Sequence, residues 1–237
     1  MKSKPLPSLD ISSKQLLRIV LFIETLVVVL AIAMANSQGE SNFHYFNEGQ
    51  FGTYFSCLQL LAVAALSGII FKLEKNSKNS QLLKNSRFWL IVSLGVFYLA
   101  LDDALSFHEQ LDKWLHRVLD VKETLVTDLA DDILVGLYMV LALMYVISQW
   151  KTLQIFRSSF GYFKLGFIFG AIMVVFDILS NNTLFVSMVT ADGNIQGQMT
   201  MWMGVLEETA KLVAEGFFLT GVYQCWRKAK FFDSSVN

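Results

Sequence analysis

Val205–Glu215 reads VLEETAKLVAE and places Glu207, Glu208, Lys211 and Glu215 within a stretch, 200–225, that is otherwise apolar enough to cross a bilayer. An ionisable side chain near a bilayer centre costs about 2.5–3.5 kcal/mol on insertion scales, so such groups turn toward a protein interior or a watery cavity and pair there. Charges this close together in one span predict an internal polar site, and an internal site needs other helices around it. The rest of the chain supplies them. With 54% hydrophobic and 16% charged residues it is too apolar for an ordinary water-soluble domain. Runs of about 20 mainly apolar residues, the length a spanning helix needs, occur at 15–36, 51–73, 87–107, 131–149, 161–186 and 200–225. The expected fold is all-α, a polytopic membrane helix bundle of six transmembrane helices, with 1–237 forming a single integral membrane domain.

Basic residues orient the bundle. Lys2, Lys4, Lys14 and Arg18 precede the first span, and Lys72, Lys75, Lys78, Lys84 and Arg87 fill the second connection. Lys151, Arg157 and Lys164 mark the fourth, and Arg227, Lys228 and Lys230 mark the tail, whereas 37–50 and 187–199 hold no Lys or Arg. The positive-inside rule then puts both termini in the cytoplasm, and the expected location is a bacterial inner membrane. The third connection, 108–130, falls outside by this count and reads as a helical extension followed by an acidic turn. A basic start, an apolar run and Ala33-Met34-Ala35 imitate a cleaved signal. Glu24 interrupts that run and the run is long for a signal, so it is read as the first span.

A net charge of −1 gives no electrostatic footprint for nucleic acid, and no Gly-rich phosphate loop is present. Cys57 and Cys225 fall toward opposite faces of this topology, which argues against a disulfide. The expected partners are the lipid bilayer, a membrane-embedded substrate or cation, and a second copy of the chain or a partner membrane protein.

Topology also assigns depth. The third span ends outside in ALDDALSFHEQLDKWLH, carrying Asp102, Asp103, His108, Glu109, Asp112 and His116, and the fourth begins there with Asp128, Asp131 and Asp132. Asp177 of the fifth span lies in the outer leaflet, as do Glu207 and Glu208 of the sixth, while Glu215 and the isolated Glu24 lie deeper. Residues three and four apart share a helix face, so Glu207, Glu208, Lys211 and Glu215 form one stripe. Asp102, Ser106 and Glu109 form another, His108, Asp112 and His116 a third, and Asp103 points elsewhere, toward Asp131 or Asp132.

Two metal readings follow. HEQLDKWLH is a variant of the zinc HExxH pattern, with His108, Asp112 and His116 as ligands and Glu109 as the base. Alternatively, Asp102, Glu109, Asp177, Glu207 and Glu208 with His108 suit a divalent cation, zinc or another, in the bundle core. The competing structural readings are a solvated amphipathic extension for the first set and a Lys211-centred network that holds helices together for the second.

GVLEETAKLVAE resembles the EExxK motif of PrsW-type proteases in the CAAX-protease-like superfamily. The resemblance implies Glu207 and Glu208 as the catalytic pair and Lys211 as the third motif residue. In that family further His- or Asn-bearing helices follow the Glu motif, so the order here would be permuted. Over 101–215 the LD(D/E)-x(4)-HE motif, Asp177 after Gly170-Ala171 and the EE-x(6)-E motif are similar to a group of uncharacterised bacterial polytopic membrane proteins, which implies no activity.

Three functions compete. In the favoured one, a metal-dependent membrane-embedded hydrolase acts on a lipid or a membrane-protein segment. Glu207 or Glu109 deprotonates water there, a cation polarises the scissile group, and Lys211 holds Glu208 or the oxyanion. In the second, a cation or proton pathway uses the carboxylates as stations, and the deep Glu24 and Glu215 favour it. The third is a non-catalytic scaffold subunit.

Overall fold

The computed structural model describes residues 11–47, 49–77, 86–107, 110, 129–181 and 183–234, and every regular element among them is helical. Each of the six apolar stretches holds a long helix: α1 (Ser13–Gln38), α2 (Phe51–Asn76), α3 (Ser86–Leu105), α4 (Leu129–Ser148), α6 (Phe160–Asn181) and α8 (Gly193–Ser234). The shorter α5 (Trp150–Leu153), α7 (Thr183–Val189) and 3₁₀ turns at His44–Phe46 and Gln154–Ser159 join them. Local chemistry sets several ends. Ser12 and Gln15 form a reciprocal capping box at the start of α1, and Gly39 closes it in the left-handed conformation at φ 72°. Asp192 Oδ1 accepts from the Asn194 N–H at 2.9 Å where α8 begins.

Four segments, Ser13–Gln38, His44–Asn76, Ser86–Leu105 and Gln154–Ser180, are long and apolar enough to cross a membrane. α8 is not among them because Glu207, Glu208, Lys211 and Glu215 sit inside its apolar run. The side chains at the start of α4, 129–136, lie outside the described residues. The helices of the fifth stretch, α6 and α7, lie on either side of 182, which is outside the described residues, and the sixth extends well beyond 200–225 at both ends.

α8 is the central element, packed against α1, α2, α6 and the Gln154–Ser159 turn, while α3 leans on α2 and α4 on α6. The surrounding helices carry their polarity inside out. α1 buries Val20, Glu24, Val27, Ala31 and Ala35 on one stripe and leaves Phe22 70% and Val29 55% exposed on the other. α2 buries Thr53, Ser56, Gln59, Ser67 and Glu74 and exposes Tyr54, Leu58 and Ile69. Polar groups within and large apolar side chains without is the arrangement a hydrocarbon surround favours, since lipid accepts the apolar face at no cost.

One end of the bundle is closed by the fourth connection, which Lys151, Arg157 and Lys164 mark in the sequence. Leu153, Phe156 and Ser159 are buried, and the Phe156 ring meets Trp89 edge-on at 5.5 Å. They join Val63, Ile70, Phe88, Val222, Cys225 and Ala229 in one apolar cluster.

Close approach of α8 to α1 depends on Gly216. A Cβ there would run into the Glu24 carboxylate and come to 2.8 Å from Val20 Cγ1, whereas Gly95 on α3 has open space around it. Gly216→Ala is expected to destabilise by about 1–3 kcal/mol through overpacking, while Gly95→Ala gains up to about 1 kcal/mol of helix propensity. Thermal melts of the detergent-purified variants check this, and equal melting temperatures would contradict the packing described.

Candidate functional site

The polar interior is assembled from four helices. α8 contributes Glu208, Lys211 and Glu215, whose spacing of three and four residues keeps them on one face. α3 contributes Asp103, α2 contributes Ser56, Cys57 and Gln59, and α1 contributes Glu24. Lys211 Nζ donates to Asp103 Oδ1 at 2.6 Å and lies 3.4 Å from Glu208 Oε2. The Lys211 and Asp103 side chains are only 20% and 15% exposed, so the pair is largely withdrawn from solvent. Cys57 Sγ sits 3.5 Å from Asp103 Oδ2 and 3.6 Å from the Ala100 carbonyl, a weak donor tying α2 to α3 beside the ion pair.

One turn further along α8 the chemistry changes. Glu215 is buried, and its Oε1 accepts from Ser56 Oγ at 2.7 Å while its Oε2 is buried without a hydrogen-bond partner. Glu24 is arranged in the same way. Its Oε1 accepts from Gln59 Nε2 at 2.8 Å beside Gly216, and its Oε2 is likewise buried and unpartnered. A charged group in low dielectric needs an opposite charge or several donors to offset its lost hydration. Asp103 and Glu208 pair directly with the ammonium; Glu215 and Glu24 have one neutral hydrogen-bond donor each, and Lys211 acts on Glu215 only through space.

A model of the domain of unknown function DUF8692 matches residues 19–225, a range that takes in every residue of this site. The chain belongs to that family. Neither a curated protein nor a solved structure matches it.

Several residues singled out by spacing take other places in this DUF8692 chain. The expected helical stripe Asp102, Ser106, Glu109 is interrupted, because α3 ends at Leu105 and Ser106 adopts a positive φ of 52°. Asp103, expected to face Asp131 or Asp132, instead meets Lys211. Asp102 is buried near the end of α3, and Asp177 and Glu207 are half-buried on α6 and α8. All three have interactions of their own, and none of them is an ion-pair partner of Lys211. His108, Glu109, Asp112 and His116 lie outside the described residues, as do Asp128 and the side chains of Asp131 and Asp132. Among the described residues no group of three His, Cys, Asp or Glu side chains is placed to hold a metal ion.

Ser56, Cys57 and Gln59 are the residues that spacing within the acidic motifs does not reveal. Their signal is the α2 pattern itself, in which Thr53, Ser56, Gln59, Ser67 and Glu74 recur on one face of an apolar helix.

Removing the ammonium leaves Asp103 and Glu208 largely withdrawn from solvent without it. Lys211→Met is expected to cost about 3–5 kcal/mol, and adding Asp103→Asn should recover part of that loss. Denaturation of the single and double variants checks the coupling; strictly additive effects would mean that the pair contributes little.

Proposed function

We propose that this chain is a six-span inner-membrane protein, with both termini cytoplasmic, that carries protons through its interior. The observation supporting this most directly is the shared state of Glu215 and Glu24. Each is buried, each holds one oxygen on a neutral donor, and each keeps the other oxygen unpartnered. A carboxyl held by a neutral donor can gain or lose a proton without an ion pair breaking, which is what a relay station requires. Protons need no open pore, so close-packed helices do not obstruct this reading.

In this scheme Asp103 and Glu208 collect protons at the Lys211 end, and Lys211 fixes their positions. Glu215 takes the proton on its unpartnered oxygen while Ser56 holds the other, and Glu24 receives it at the Gly216 contact. The metal-dependent hydrolase expected from the sequence rests instead on Glu207 or Glu109 as base, on Glu208 and Lys211, and on a cation held among Asp102, His108, Asp112, His116, Asp177 and Glu207, and it requires nothing of Glu215.

Glu215 therefore separates the two. In liposomes holding a pH-sensitive dye, with a potassium diffusion potential as driving force, the wild-type protein should acidify the lumen. Glu215→Gln should slow this about 100-fold, the lower range of what a positioned proton-transfer group contributes. Wild-type vesicles no leakier to protons than protein-free ones would rule the relay out.

A further inference from the structure

Glu74 lies two residues from the end of α2, about five turns beyond Ser56, or about 27 Å at 1.5 Å per residue. It is fully buried, and neither carboxylate oxygen has a hydrogen-bond partner. Trp89 on α3 directs its indole N–H toward this carboxylate, yet that N–H also closes no hydrogen bond. Ser159 Oγ, from the turn that caps this end, is buried and unpartnered as well, next to the buried thiol of Cys225 on α8. Orphaned polar groups are rare in protein interiors, and a cluster of them marks either a strained site or one that exchanges something small.

Among the described residues no cation compensates this carboxylate. Arg87 on α3, Arg157 on the capping turn, and Lys72 and Lys75 on α2 itself are exposed. Lys228 on α8 acts on Cys225, and none of these cations pairs with Glu74. An ionised carboxylate in such a place would have neither counter-charge nor donor, the least favourable state available to it. Between Glu74 and the Lys211 end, the buried hydroxyls of Ser67 and Thr220 are unpartnered too. The orphaned groups thus run the length of the α2–α8 contact and end beneath Phe156 and Ser159.

We propose that Glu74 is a proton-binding station at the end of the bundle opposite Lys211, covered by the Leu153–Ser159 segment and reached when that segment lifts. It rests on the relay reading for its purpose, although proton binding at Glu74 can be observed without transport. The step is a simple exchange: a hydronium arriving from the solvent side gives its proton to one Glu74 oxygen and departs as water, leaving a neutral carboxylic acid beside the Trp89 N–H. Ser67 on α2 and Thr220 on α8 are the buried hydroxyls that lie along the helices between this station and Glu215.

Infrared spectroscopy of the reconstituted protein tests it, because a protonated carboxyl has a carbonyl band that shifts in D₂O. Glu74→Gln should delete one such band, and Trp89→Phe should move it by removing the N–H that faces it. Phe156→Ala should speed its exchange with D₂O. Proton uptake by vesicles carrying Glu74→Gln should fall about 100-fold. An intact band in Glu74→Gln, or, should that variant not fold, a band unmoved by Trp89→Phe, overturns the site. A lost band in a protein that moves no protons leaves the station standing and removes the relay; full transport by Glu74→Gln with no band lost does the reverse.

Discussion

The ion pair between Lys211 and Asp103 sets the rotation of the central helix. α3 packs on α2, so Lys211 must reach past α2 to make its 2.6 Å contact. That reach fixes which way α8 faces. With Lys211 directed at α3, Glu215 one turn later falls opposite Ser56 on α2, and the adjacent Gly216 turns to α1, where Glu24 occupies the space a side chain would fill. The positions of two buried carboxylates thus follow from one charge pair and one missing Cβ.

Inverted polarity makes this affordable in a bundle with so little charge. In water, burying Thr53, Ser56, Gln59, Ser67 and Glu74 on the inner face of α2 while exposing Tyr54, Leu58 and Ile69 would forfeit apolar burial. In hydrocarbon the exposed face costs nothing, and small or hydroxylated residues allow close helix contact with hydrogen bonds across it. Gly68 shows this locally, where Ser93 Oγ donates to the Ala64 carbonyl at 2.9 Å one turn away. The capping turn follows the opposite logic, sealing one end of the bundle with Leu153 and Phe156.

The helices were readable because a spanning run is a property of composition over about 20 residues: each of the six apolar stretches holds a helix, and four segments are long and apolar enough to cross a membrane. Helix ends were less so. Ser106 breaks α3 through a backbone angle that a helical wheel does not contain, and α8 runs past its apolar stretch at both ends. The site was half visible. Glu208, Lys211 and Glu215 declare themselves as charges in an apolar helix, and Glu24 interrupts α1 in the same way. Asp103 was assigned to the wrong neighbour because periodicity shows which face a residue occupies and not which helix stands opposite. Ser56 and Gln59 were missed for a different reason, since a hydroxyl or an amide in a membrane helix is common until its partner is known to be a buried carboxylate. Glu74 was hidden by its basic neighbours, which made the end of α2 read as loop.

The four carboxylates around this interior divide by what holds them. Asp103 and Glu208 lie against an ammonium, and protonating either would weaken the contact that orients α8. Glu215 and Glu24 are held by a hydroxyl and an amide, groups that carry both a donor and an acceptor and so can bond either a carboxylate or a carboxylic acid. A change of proton at these two leaves the Lys211 anchor intact. The same helix can therefore be rigid at Lys211 and chemically variable one turn away, which is the combination a relay embedded in a fixed scaffold needs. Glu74, with no ammonium and no donor within hydrogen-bonding distance, belongs with the second pair and extends it to the other end of α2.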